Sequence, residues 1–205
     1  MPELGKLNKA VEDVMSACFS GTLDQLKDKV QALLRVDAGG DSNVIEKTKN
    51  AKDYLTSLEL SALESIRDSQ KHSVAHIAAA GGNVEILQTL LTASPSFAHI
   101  EDENGENPLF YAIRAAESWK GDHGASKDLS KSDRMACLLL LIAHSGPNSM
   151  SKRGASALHI ASELGDSSIC KILLENQADV SLSVSAFNCR PCDITEVLAS
   201  AILHW

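Results

Sequence analysis

The chain has 205 residues, a formal net charge of −8 at pH 7 and a sequence pI of about 5.3. Acidic bulk charge argues against nucleic acid as a partner, because neutralising a phosphate backbone requires a basic face. A hydrophobic fraction of 44% with only 4% aromatic residues fits Leu- and Ala-rich helices around a thin continuous core.

Taken in chain order, Val11, Val14, Met15, Cys18 and Phe19 recur at helical spacing and predict a helix over Lys9–Ser20. Leu23, Leu26, Val30, Leu33 and Leu34 predict its partner over Thr22–Arg35. Asp37 to Ser42 breaks the pattern, after which Val44, Ile45, Thr48, Ala51, Leu55 and Leu58 predict an extra helix at about 43–58. The next helices fall at 73–81 and 84–93, with Pro95 helping to stop the second. A third pair opens at Asn107-Pro108, proline being tolerated in a first turn. Its apolar stripe continues through Ala116 and Trp119, which predicts about one extra turn before a polar loop from Gly121 to Lys131. The partner helix is expected over Ser132–His144, closed by Gly146-Pro147. Two further patterns follow at 151–182, hinged at Leu164-Gly165-Asp166. Gly165 suits a left-handed helix end and Asp166 the cap of the next helix. A final helix is expected at about Pro191 to Leu203.

The longest apolar run, Met135 to Ala143, is too short to span a bilayer. Met1 to Met15 holds no apolar h-region of a signal peptide. The five cysteines lie far apart without a disulfide framework, and Cys18, Cys137 and Cys170 sit in apolar helical patterns as small buried hydrophobes. A soluble protein of a reducing compartment, cytoplasmic or also nuclear, is the expectation.

The segment Ser156 to Gln177 repeats. His76-Ile77-Ala78 with Gly82, Ile86, Leu90 and Leu91 matches His159-Ile160-Ala161 and its sequel, 83 residues upstream. Anchoring on His159, the equivalent positions are His76, Phe110 and Asp193, spaced by 34, 49 and 34 residues. A period of about 33 leaves about 16 residues inserted in the middle interval. With Asn104-Gly105-Glu106-Asn107-Pro108-Leu109-Phe110-Tyr111-Ala112 as the opening of the third copy, the pattern resembles the ankyrin signature, a glycine turn followed by Thr-Pro-Leu-His-x-Ala. Val74 and Ala157 replace that signature's proline; Phe110 and Asp193 replace its histidine.

The resemblance implies an all-α solenoid of about five stacked helix pairs with short β-turn fingers, counting two degenerate caps. As a single domain over 1–205, it would comprise a degenerate first repeat at 8–35, an insertion at 37–62 and a repeat at 68–100. A repeat at 101–150 with its insertion at 117–131, a repeat at 151–182 and a capping repeat at 183–205 would complete it. His76 and His159 would tie their turns through Ser73 and Ser156, three residues earlier, rather than serve catalysis. No nucleophile elbow accompanies them, so no enzyme is expected.

Function would then be protein binding, as scaffold or adaptor, by a monomer with no cofactor, metal, nucleic acid or membrane partner. In ankyrin proteins the finger tips and first helices form the concave binding surface. On this chain those positions are Gln70, His72, Glu103, Asn104, Glu106, Tyr111, Arg114, Lys152, Arg153 and Phe187, with Phe187 either an anchor or tucked under the cap. Glu101, Asp102, Glu103 and Glu106 would make an acidic finger beside a basic one at Lys152-Arg153. An assembly chaperone or inhibitor that masks a partner surface is the alternative within the family. From another class, Cys189 and Cys192 carry metal or redox spacing, although a zinc site would want a second ligand pair.

Overall fold

A computed structural model of the chain describes residues 2–37, 55–115, 131–180 and 182. Four helix pairs appear among them. They are α1 (Pro2–Ser20) with α2 (Leu23–Asp37), α4 (Val74–Ala80) with α5 (Val84–Ala93), α6 (Pro108–Arg114) with α7 (Lys131–Ser145), and α8 (Ala157–Glu163) with α9 (Ser167–Glu175). A further helix, α3 (Ser57–Ser65), packs against α2. The first helices form an inner row in which α4 packs between α1 and α6, and α6 between α4 and α8. Behind them α5 packs on α7. This is a solenoid of stacked pairs, all helical among the described residues.

One continuous apolar core runs along the stack, from Val14, Met15 and Leu26 through Ile77, Leu87 and Leu90 to Phe110, Leu141, Ile160 and Leu173. Each repeat alone exposes a helix face that only the next repeat covers, so stability comes from stacking neighbours. The hinges of the α4/α5 and α8/α9 pairs follow a common design. Gly165 takes φ +68°, and the Asp166 carboxylate then accepts from the Ser168 and Ile169 amides. Two pairs earlier, Gly82 takes φ +61° and Asn83 caps Ile86. Asn83 also donates from Nδ2 to the Gly21 carbonyl at 2.8 Å, stitching the second pair to the first.

Two expectations are corrected. Helix α1 begins at Pro2, not Lys9, because Leu7 and Ala10 continue the apolar stripe onto the core. No helix runs through Leu55 and Thr56 to residue 58. Thr56 is extended (φ −72°, ψ 159°) and is instead the N-cap of α3, sharing a reciprocal capping box with Glu59. The rest of the expected 43–58 helix lies outside the described residues. So do the further turn of α6 through Trp119, most of the 117–131 insertion, the final helix and the whole of the capping repeat at 183–205. Helix α6 itself is capped at Ala115.

Candidate protein-interaction surface

Between the pairs the chain makes three fingers of one construction, at 68–72, 102–106 and 151–155. In each, the first residue's amide bonds the fifth residue's carbonyl: Asp68 to His72 at 3.2 Å, Asp102 to Glu106 at 3.0 Å and Ser151 to Ala155 at 2.9 Å. Its carbonyl accepts from the fourth residue, Lys71, Gly105 or Gly154. Its side chain accepts from the fifth residue's amide in all three. That recurring Asp, Asp or Ser, eight residues before His76, Phe110 and His159, is the sequence signal that would have located the turns. Adjacent fingers are joined backbone to backbone. Glu103 donates to the Gln70 carbonyl at 3.3 Å, and Lys152 to the Asn104 carbonyl at 2.8 Å.

The fourth position needs the left-handed region, which Gly105 (φ +69°) and Gly154 (φ +78°) supply without strain. Lys71 stands there at φ +64°, a conformation costing a residue with a Cβ roughly 1 kcal/mol. Lys71→Gly is therefore expected to stabilise the protein by about 0.5 kcal/mol, the relief of strain exceeding the added freedom of the unfolded chain. A urea melt of the pair checks the sign.

His76 ties turn to helix as the resemblance implies. Its Nδ1 faces the Ser73 amide at 3.0 Å and hydroxyl at 2.7 Å. An amide can only donate, so Nδ1 is an acceptor. The ring hydrogen on Nε2 is then given to the Glu106 carbonyl, 2.9 Å away in the next finger. Burial lowers the His76 pKa to about 4, because a charged ring would lose solvent and a donor would face a donor. His159 repeats the Ser156 contact at 2.7 Å and is half-buried, which also lowers its pKa. Phe110 holds the same slot fully buried, and Asn107 caps that helix by accepting from Leu109.

The predicted site residues divide. Gln70, Glu103, Asn104, Lys152 and Arg153 are exposed on the finger tips. His72, Glu106 and Tyr111, expected on the binding face, are instead 3%, 7% and 6% exposed. Their polar atoms find partners inside the stack. His72 lies against Asp68 and Tyr111, and Glu106 pairs with Arg114, Nη2 to Oε1 at 2.8 Å and Nη1 to Oε2. That pair holds the half-exposed Arg114 guanidinium and raises its pKa. Asp102 is buried too. Burial pushes its carboxyl up, but bonds from the Tyr111 hydroxyl and the Glu106 and Asn104 amides outweigh this and keep it below the usual range. The acidic finger therefore shows only Glu101 and Glu103 to solvent, beside Lys152 and Arg153. Lys152 Nζ reaches back to the Glu103 carbonyl at 2.9 Å.

The first helices contribute less surface than expected. All seven residues of α4 are buried, as are Pro108 to Ile113 of α6. Cys18, Cys137 and Cys170 are buried free thiols, and burial raises each pKa, that of Cys137 to about 12. Phe187, Cys189 and Cys192 lie outside the described residues. Among the described residues no group of His, Cys, Asp and Glu is arranged to hold a metal ion, and no helix is long and apolar enough to cross a membrane.

Comparison with known proteins agrees with this architecture. The ankyrin-repeat family model matches residues 153–183. The chain is 36% identical over 109 residues to a transient receptor potential cation channel subfamily A member 1 homolog of Caenorhabditis elegans, covering 52% of this chain and 8% of that protein. It is 32% identical over 111 residues to inversin of Danio rerio, covering 54% and 9%. It is 25% identical over 200 residues to the putative ankyrin repeat protein L371 of Acanthamoeba polyphaga mimivirus, covering 86% and 26%. The chain thus spans a small part of the length of each. With finger, helix, glycine hinge and helix recurring in one register, and with relatives of this kind, the chain is a solenoid that carries ankyrin repeats.

Proposed function

We propose that this chain is a non-enzymatic scaffold or adaptor whose finger tips contact a partner protein. Ankyrin repeats are protein–protein interaction modules, and the observation supporting the tips as the contact edge is their backbone linkage. Glu103 to Gln70 and Lys152 to Asn104 hold three fingers in one row, so little conformational entropy is lost when a partner settles on them. Exposed Gln70, Glu103, Asn104, Lys152 and Arg153 supply the recognition chemistry, with Arg114 beside them. The partner's matching edge carries acidic groups opposite Lys152 and Arg153 and a basic group opposite Glu103.

The test compares proteins captured from lysate by the wild type, by Lys152→Glu with Arg153→Glu, and by a deletion of Gly121–Ser130. Rim charges act mainly on association rate. The charge-reversed protein is expected to bind at least about tenfold more slowly while melting at an unchanged temperature. Loss of binding from the deletion alone would move the contact off the fingers and onto the insertion.

A further inference from the structure

The first two fingers are joined by more than a backbone bond. A buried polar chain runs from Asp68 Oδ2 to His72 Nδ1 at 2.6 Å, from His72 Nε2 to Tyr111 Oη at 2.7 Å, and from Tyr111 Oη to Asp102 Oδ2 at 2.7 Å. The Tyr111 ring stands edge-on to both His72 and His76, at centroid distances of 5.1 and 4.9 Å. Three short contacts need three hydrogens between them. A neutral imidazole and a phenol bring two. The Nδ1 hydrogen goes to Asp68, since a carboxylate only accepts. If the Tyr111 hydrogen turned to His72, its oxygen would face the Asp102 carboxylate at 2.7 Å with nothing between. A buried pair of facing lone pairs is the costly case.

We propose that the chain holds one more hydrogen than its neutral ring and phenol supply, carried on His72 Nε2, so that a doubly protonated His72 bridges the two fingers. His72 then donates to Asp68 from Nδ1 and to Tyr111 from Nε2, and Tyr111 donates on to Asp102. The two negative carboxylates, at the two ends of the chain, balance the ring's charge; Asp102 Oδ2 is also 3.9 Å from Nε2. Both carboxyls are held below the usual range. In each, burial pushes up and is outweighed by bonds from finger amides and from His72 or Tyr111, so neither takes the proton itself. Among the described residues, titratable or charged groups around it include Arg67 ahead of the first finger, His76 on α4 with its ring centroid 6.0 Å away, and the Glu106–Arg114 pair. His76 is neutral by its own bonds, and Arg114 is spent on Glu106. The consequence is a clamp between repeats in which each of the three contacts carries its own hydrogen.

The experiment is nitrogen-15 spectroscopy of the histidine rings of the full chain near pH 7.5, about one unit above the point where a free imidazole gives up its second proton. His72 is expected to show hydrogens on both ring nitrogens, while His76 shows one on Nε2 only. A His72 ring carrying hydrogen on Nδ1 alone overturns the proposal. Asp102→Asn supplies the reverse test. Its amide oxygen can still accept from the Asn104 and Glu106 amides, while its nitrogen donates to Tyr111, so that Tyr111 donates to His72 and the Nε2 hydrogen is lost. Retention of both hydrogens in a folded Asp102→Asn protein also overturns it. If that variant fails to fold, the wild-type spectrum decides alone.

Discussion

Replacing Gly81 by alanine is expected to destabilise the protein by roughly 3 kcal/mol, the upper range for forcing volume into a packed site. Gly81 sits at φ −78°, an ordinary helical angle, so its backbone conformation would suit any residue. What forbids a side chain is the neighbouring repeat. A Cβ there would lie 2.1 Å from the Phe19 carbonyl oxygen and within 3 Å of that residue's C and Cα atoms, all main chain at the end of α1. A flexible side chain could swing aside; a helix backbone held by the Asn83 to Gly21 bond cannot. For a chain of this size the melting temperature should fall by roughly 6–12 °C. Gly5→Ala, with open space around its Cβ, should instead gain up to about 1 kcal/mol from helix propensity. Equal melting temperatures for wild type and Gly81→Ala would show that the first two repeats are not packed this closely.

The second large effect is the pH dependence of His76. Its pKa is lowered from 6.5 to about 4 in the folded protein, so between those values the unfolded chain binds a proton that the native one refuses. The stability this neutral histidine contributes is fully present above pH 6.5 and is lost as the pH falls towards 4. At about 1.4 kcal/mol per unit, the loss is roughly 3 kcal/mol. His76→Ala removes both the tie and the titration. Near neutral pH it should cost roughly 3 kcal/mol, through the unpaired Glu106 carbonyl and Ser73 groups and the lost volume. Towards pH 4 the deficit should close as the wild type gives up the same amount. Urea melts of both proteins across that range make the comparison, and a constant gap would contradict it.

The helices legible in the sequence were those whose apolar spacing and caps agree. Val84–Ala93 falls as read, α4 and α7 lie within a residue of their patterns, and α8 and α9 meet at the hinge read at Leu164-Gly165-Asp166. The ties of His76 and His159 were legible for the same reason: the serine three residues earlier is a local signal. The start of α3 was also written locally, in Thr56-Ser57-Leu58-Glu59, but the apolar stripe upstream of it masked the capping box. What sequence could not disclose was the inward turn of His72, Glu106 and Tyr111. Each is a polar or amphipathic side chain on a turn or helix start, where exposure is the default reading. The partners that draw them in belong to different repeats, as with His72 and Tyr111, or become neighbours only once the finger is folded, as with Glu106 and Arg114. Asp68 and Asp102 point inward for the opposite reason, since each closes its own turn.

The bonds between fingers give their row a direction. At both joints the later finger supplies an amide and the earlier one a carbonyl. A backbone that lengthened the row ahead of Ser69 would therefore have to present carbonyls, and one that lengthened it beyond Arg153 would have to present amides. Among the described residues the row is therefore polar: the middle finger offers an amide to the repeat before it and a carbonyl to the repeat after it.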